Sequence, residues 1–212
     1  MDADTLRILG RPNSFNVRKI HWLCDELAIP HVREDWGRGF RPTTTPEFLG
    51  LNPVAQIPVV LDGDLVLRES NAIMRYLCLK HGAEQLYPSA LARRARVEQW
   101  MDWVAYDLTH AMRGAFLGGQ LQEVPWNNPW FVEQGRSDFT HCIGLLEQEL
   151  AGGGPYVCGD DFTLADIPMG LVVNRWFAVQ GFTKPEFPEV SAYFERLSQR
   201  PAYLRHGRNG LP

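Results

Sequence analysis

The chain is 212 residues long, 45% hydrophobic and 22% charged, enough for one large domain or two small ones of ordinary globular composition. Its formal net charge of −4 argues against a nucleic-acid partner held by a general basic surface. No apolar run approaches the roughly 20 residues of a membrane-spanning helix. The start, MDADTL, has acids and no basic segment ahead of an apolar core, so no secretory leader and a cytoplasmic location are expected.

Leu6, Ile8 and Leu9 predict a strand over 5–9, broken by Gly10, Pro12 and Asn13. Val17, Ile20, Leu23, Cys24 and Leu27 then recur at helical spacing, predicting a helix over 15–28. PHVRED reads as a second strand and GRGFRPTTT as a polar loop. Thr45 is placed as an N-cap with Pro46 at the first position of a short helix. QIPVVLDGDLVLRES predicts a hairpin turning at Asp62–Gly63–Asp64. ESNAIMRYLCLKHG predicts a helix capped by Ser70 or Asn71 and ended at Gly82. The order is βαβ, then ββα, an α/β domain over 1–82.

AEQLYPSA, 83–90, reads as a linker, and the remainder, 91–212, as an all-helical domain. A long helical pattern covers 90–118 and another 130–151, with the loop QEVPWNNPWF before the second. In DDFTLADI, Thr163 is placed as N-cap and Asp166 three residues on, a capping box with Asp in place of Glu. Phe162 and Ile167 are spaced as its hydrophobic staple. FPEVSAYFERLSQRPAYLRH predicts a final amphipathic helix stopped by Pro201.

Three pieces of the α/β domain carry chemistry. NSFN, Asn13 to Asn16, arrives at a helix N-terminus, the place where a thioredoxin-like redox protein carries Cys-x-x-Cys because the helix end stabilises a thiolate. Here it holds amides, a hydroxyl and an aromatic ring. The four cysteines, Cys24, Cys78, Cys142 and Cys158, form no Cys-x-x-Cys pair, and neither they nor the six histidines show a metal spacing. In QIPVV, a proline opening a strand makes sense if Ile57–Pro58 is cis and the Ile57 backbone is turned outward to pair with an extended peptide. In RESN, Ser70 and the amides of a new helix suit a carboxylate, and Glu69 suits an ammonium. Read singly, Ser14, Asn16 and Glu69–Ser70 are ordinary caps and Pro58 an edge proline; read together they form a cradle for the zwitterionic end of a small peptide.

Those segments resemble the cytosolic glutathione transferases: NPVAQIPVV the stretch around the cis-proline, LRESNAIMRYL the γ-glutamyl site, DDFTLADI the capping box of the helical domain. GRPNSFNVRKI resembles a bacterial branch related to the theta and nu classes, in which Ser, Thr and Asn replace a catalytic tyrosine. The resemblance implies a thioredoxin-like N-terminal domain followed by an all-α domain, and a substrate that brings its own sulfur. The glutathione thiol would be held as thiolate by Ser14 first, then Asn16, with Asn13 third, and would attack a small electrophile by conjugation or dehalogenation. Ile57, beside Pro58, would pair with the cysteinyl unit, and Glu69 and Ser70 would hold the γ-glutamyl group. Gln56 and Arg41, Arg38 or Thr43 would reach the glycyl carboxylate.

On the helical domain, Tyr106, His110 and Arg113 recur three and four residues apart, and Arg113 has unusually small neighbours in AMRGAFLGG. This face, with Trp176 and Phe177, is the expected electrophile pocket, and Arg113 would suit an anionic substrate; a salt bridge for Arg113 and a packing role for His110 are the plainer readings. No metal is expected. A glutathione-dependent disulfide oxidoreductase and a non-catalytic binding protein are the alternatives on the same fold. A symmetric homodimer, with Arg75 and the long helix near its interface, is implied by the resemblance.

Overall fold

The computed structural model describes residues 5–210, so the expectation drawn from the acidic start lies outside the described residues. The chain divides into two compact units, Met1–Glu84 and Gln85–Pro212. In the first unit the elements are β1 (Leu6–Leu9), α1 (Phe15–Glu26), β2 (His31–Glu34), α2 (Pro46–Leu51), β3 (Val59–Asp62), β4 (Leu65–Arg68) and α3 (Ser70–Lys80). The strands form a mixed sheet in the order β2-β1-β3-β4, with β1 and β2 parallel and the other pairings antiparallel. This is the thioredoxin-like arrangement expected from the βαβ-ββα order.

Side chains alternate across a sheet, so Leu9 and its partner Val59 point to one face and Ile8 and Val60 to the other. Leu9 and Val59 join Trp36 and Phe48 in a buried cluster, with Leu51, Ile57 and Leu61 packed against it. The helices α1 and α3 pack on each other, and α3 also packs on β4. The hairpin is tighter than expected. Asp62 still pairs with Leu65, leaving Gly63–Asp64 as a two-residue turn with Gly63 at φ +57°. Asp62 is instead bonded by its side chain, accepting from Tyr76 and Lys80 of α3.

The second unit holds α4 (Leu91–Trp103), α5 (Thr109–Arg113), α6 (Pro129–Gly153), α7 (Asp166–Ala178), α8 (Pro188–Leu197) and α9 (Pro201–His206). Its first long helix is not uniform: Val104–Leu108 and Gly114–Gln120 are π-helical stretches on either side of α5. The segment read as a linker is partly core. Ala83, Leu86 and Tyr87 are buried, and the Leu86 carbonyl accepts from Leu164 N–H at 2.9 Å. The final helix is two. Pro201 does not stop α8; it opens α9 at a position where its missing N–H costs nothing.

Every residue from Asp166 to Trp176 is buried, which makes α7 the central helix of this unit. Its start departs from the expected capping box in two respects, the first being that Ala165, not Thr163, holds the N-cap, with Asp166 as the first helical residue. Second, the Asp166 carboxylate reaches back to Thr163 N–H at 2.8 Å, as the box requires, but the Thr163 hydroxyl donates to the same carboxylate at 3.1 Å rather than accepting from a helix amide. Val157 N–H and the Tyr193 hydroxyl complete four donors on one buried carboxylate. Among the described residues no helix is long and apolar enough to cross a membrane.

Candidate functional site

The chain turns out of β1 at Gly10, where a Cβ would lie 2.4 Å from Val17 Cγ2 and 3.4 Å from Ile57 Cβ. Only glycine fits there, so the chain approaches both Val17 and Ile57 closely where it begins the turn that leads to Asn13 and Ser14. Ser14 takes the N-cap of α1 with extended backbone, φ −76° and ψ 127°. Serine is favoured at that position because its oxygen accepts from the first helical amides. Here the side chain makes no such bond. Ser14 is buried, yet its hydroxyl has no hydrogen-bond partner among the described residues. The first turn of α1 contains no acidic residue, so the positive end of the helix is left uncompensated.

Asn16 stands in that first turn and is exposed, as is Asn13 before it. The Asn16 side-chain oxygen accepts from the Ser70 hydroxyl at 3.3 Å, which joins NSFN to RESN directly. Behind this pair lies a residue that sequence reasoning missed. Lys19 is 3% exposed, and its ammonium donates to Ser70 Oγ at 3.4 Å and to Asn71 Oδ1 at 3.5 Å, over the Phe15 ring. The available signal was an Arg18–Lys19 pair inside eight consecutive residues, Val17 to Cys24, that all turn out buried.

Ser70 is not the cap expected of it, nor is Asn71. Glu69 holds the N-cap of α3, by backbone alone, at φ +68° and ψ +106°. A non-glycine residue in that region costs on the order of 1–3 kcal/mol. The strain swings the chain from β4 into α3, leaving the Glu69 side chain exposed and Ser70 as the first helical residue. The Ile57–Pro58 bond is cis, and neither the N–H nor the C=O of Ile57 is paired among the described residues. Gln56 is exposed with its carbonyl held by Asn52 Nδ2 at 2.8 Å. Arg38 is exposed and Thr43 half-buried. Arg41 stacks on Trp36 at 3.7 Å and pairs with Glu47 at 2.7 Å. An exposed pair of this kind holds by at most about 1 kcal/mol, so the guanidinium can share itself with a second carboxylate.

In the helical unit, Tyr106, His110 and Arg113 line one hollow of about 620 Å³ with Asp107, Asp138, His141 and Cys142. Trp176 is not in it. Trp176 is buried on α7, its ring against Phe139, Phe182 and Phe187, and it borders a different hollow together with Phe177. The small neighbours of Arg113 have another reason too. Gly114 and Gly118 allow α6 and the Trp126 loop to approach to backbone contact. Arg113 itself lies over the Trp126 ring at 5.6 Å, with Asp107 and Asp138 on the same hollow, so this face carries no clear anionic preference.

The protein's own thiols are unsuited to attack. Burial pushes Cys24 and Cys78 up to about 12 and Cys142 and Cys158 up to about 11. A thiol in that range is almost wholly protonated at neutral pH and is a poor nucleophile. Among the described residues no group of three or more His, Cys, Asp and Glu side chains is placed to hold a metal ion.

Residues 13–80 match the glutathione S-transferase N-terminal domain and residues 139–201 the C-terminal domain. Glutathione S-transferase GstB of Escherichia coli K12 is 33% identical over 199 residues, covering 93% of this chain and 95% of that protein. Dichloromethane dehalogenase of Methylorubrum extorquens is 32% identical over 212 residues, covering 93% and 72%. A theta-class glutathione S-transferase of Xanthomonas axonopodis pv. citri, solved with glutathione bound, superposes with a TM-score of 0.89 at 34% identity, covering 99% of this chain and 100% of that one. The chain belongs to the glutathione S-transferase family, and its likeness is to the bacterial theta-like members.

Proposed function

We propose that this protein is a glutathione transferase that holds the glutathione thiolate at the N-terminus of α1 and delivers it to a small electrophile. The observation that carries this reading is Ser14: a buried serine in the N-cap position whose hydroxyl is spent neither on capping nor on any other described residue. The thiol gives its proton to solvent, the sulfur pair forms the bond to the electrophilic carbon, and the leaving group departs with the electrons of the bond it breaks.

Magnitudes favour several donors over the helix alone. An ordinary thiol titrates near about 8.5, and holding it mostly ionised at neutral pH requires roughly 2–3 kcal/mol. A helix end contributes about 0.3–1 kcal/mol. A hydrogen bond to a charged sulfur contributes about 1.5–3 kcal/mol, which Ser14, with Asn16 beside it and Asn13 as the outer candidate, would supply.

Ile57 would pair its free backbone with the cysteinyl unit, next to Pro58. Glu69 would hold the γ-glutamyl ammonium, and the Ser70 amide the γ-glutamyl carboxylate. Gln56 and Arg41 would take the glycyl end. The electrophile would lie against the hollow of Tyr106, His110 and Arg113; Trp176 is withdrawn from that set. The mixed charge of the hollow favours a small, neutral electrophile over an anion, and dehalogenation of a haloalkane belongs beside aryl conjugation. A cytoplasmic location fits four free cysteines and a glutathione-rich compartment. A homodimer is proposed from the family resemblance, to be read by sedimentation.

The test is calorimetric titration with reduced glutathione, then thiol consumption with a chloro-dinitro arene, halo-acids, haloalkanes and a mixed disulfide. Binding with turnover of an electrophile is the expected result. Turnover of the disulfide alone would make it an oxidoreductase, binding without turnover a carrier, and no binding would overturn the reading.

A further inference from the structure

We infer that Lys19 is a positioning residue for the thiolate, acting through Ser70 and Asn16 as a one-way hydrogen-bond relay. The inference rests on the glutathione reading above and deepens it. The direction follows from what each group can do. A lysine ammonium has three protons and no acceptor, so at 3.4 Å from Ser70 Oγ it can only donate. The serine oxygen, receiving that bond, turns its single proton to its other neighbour, Asn16 Oδ1, at 3.3 Å. With its carbonyl occupied from behind, the Asn16 amide presents its NH₂ group forward, away from Ser70, at the first turn of α1. A sulfur held at the helix end then meets a donor, not the carbonyl oxygen that the opposite rotamer would offer.

Three further facts support the assignment. Lys19 is 3% exposed, and a lysine is rarely retained at such burial without a specific partner set. It also donates to Asn71 Oδ1 at 3.5 Å and lies over the Phe15 ring at 4.9 Å, contacts that hold the ammonium beside Ser70. The charge lies behind the relay, where it polarises each bond in the same sense and adds a positive field to that of the helix end.

The relay has a signature distinct from a packing role. It acts on the ionisation of the bound thiol and leaves the affinity of the peptide cradle largely alone. The experiment is a pH titration of thiolate ultraviolet absorbance at saturating glutathione, for the wild type, Lys19→Met and Lys19→Arg, with kcat and KM followed over the same range. Lys19→Met is expected to raise the bound thiol pKa by about one unit, a tenfold loss of thiolate on the acid side. Its kcat deficit should close as the pH rises past the thiol pKa, with KM for glutathione little changed. Lys19→Arg, which keeps the cation and the donors, is expected to restore most of the shift. A folded Lys19→Met with the wild-type thiol pKa overturns the relay, as does a variant altered only in KM. If Lys19→Met does not fold, Ser70→Ala breaks the relay at its middle while leaving the cation in place, and an unshifted thiol pKa there overturns it equally. A wild type that binds no glutathione sinks the parent reading, whereas one that binds with a lowered thiol pKa and shows no dependence on Lys19 or Ser70 sinks the relay alone.

Discussion

Gly114, just after α5, meets Gly135 of α6 backbone to backbone. A Cβ built on Gly135 would lie 2.5 Å from Gly114 Cα and 2.7 Å from Ala115 N, and one built on Gly114 would lie 2.2 Å from the Phe131 carbonyl oxygen. No side chain can move to relieve these contacts, so a single methyl must push two helices apart. Gly135→Ala is expected to cost about 3 kcal/mol, at the upper end for overpacking. Urea unfolding of the variant checks it. A loss under about 1 kcal/mol would mean that the crossing gives way easily.

This crossing shows why part of the site was illegible. The glycines of AMRGAFLGG were visible, but a glycine that admits a neighbouring helix and one that opens a pocket leave the same letter. Only the partner, Gly135, distinguishes them, and it lies 21 positions away. The π-helical stretches at Val104–Leu108 and Gly114–Gln120 left no signal in the 3.6-residue pattern either. Trp176 was misplaced for a related reason: an aromatic on a buried helix says nothing of which hollow its ring borders. By contrast, the α/β unit was legible almost whole, because strand alternation, a Gly-containing hairpin turn and Pro46 after Thr45 are local signals with local causes. Lys19 was hidden by its type, since a lysine in a helix is ordinarily solvated.

The missing cap at Ser14 separates function from structure in one variant. If the hydroxyl served the helix, Ser14→Ala would cost about 1 kcal/mol of stability. Since it caps nothing, the expected loss is within about 0.5 kcal/mol, while transfer at neutral pH falls roughly 10- to 100-fold for one charge-assisted bond. Asn16→Ala should behave alike with a smaller loss. Thermal melts and kcat/KM together decide it, and a stability loss with intact turnover would return Ser14 to a structural role.

Glu69 joins strain and binding in a single residue. At φ +68° it occupies backbone space that glycine reaches freely. Glu69→Gly is therefore expected to be more stable than Glu69→Ala by about 1 kcal/mol, since alanine keeps the strain and glycine removes it. Both variants lose the carboxylate, and both should bind glutathione about tenfold more weakly. Unfolding and calorimetric titration of the pair separate the effects. Equal stability of the two variants would mean that the left-handed backbone costs nothing here.

Asp166 ties the stability of the helical unit to pH. Burial pushes its carboxyl from the ordinary 3.8 up to about 6, although Thr163, Val157 and Tyr193 all donate to it and pull the other way. A raised value means that the native state binds this proton more tightly than the unfolded chain. The stabilisation from that proton is complete below about pH 4 and is lost as the pH rises through about 6. Tyr193 and Cys158, which face the same carboxyl, are themselves pushed up and do not titrate in that window. Asp166→Asn carries no titrating group and turns an amide NH₂ toward donors, so it should be less stable than the wild type at pH 7 by about 3 kcal/mol. Its deficit should then widen as the pH is lowered from about 7 to about 4.5, by up to about 3 kcal/mol for a shift near two units. Urea midpoints of both proteins along that series give the difference directly, with the other carboxyls cancelling between them. A deficit that stays constant would show that the four donors hold the carboxylate ionised throughout, and that burial is the weaker influence at this position.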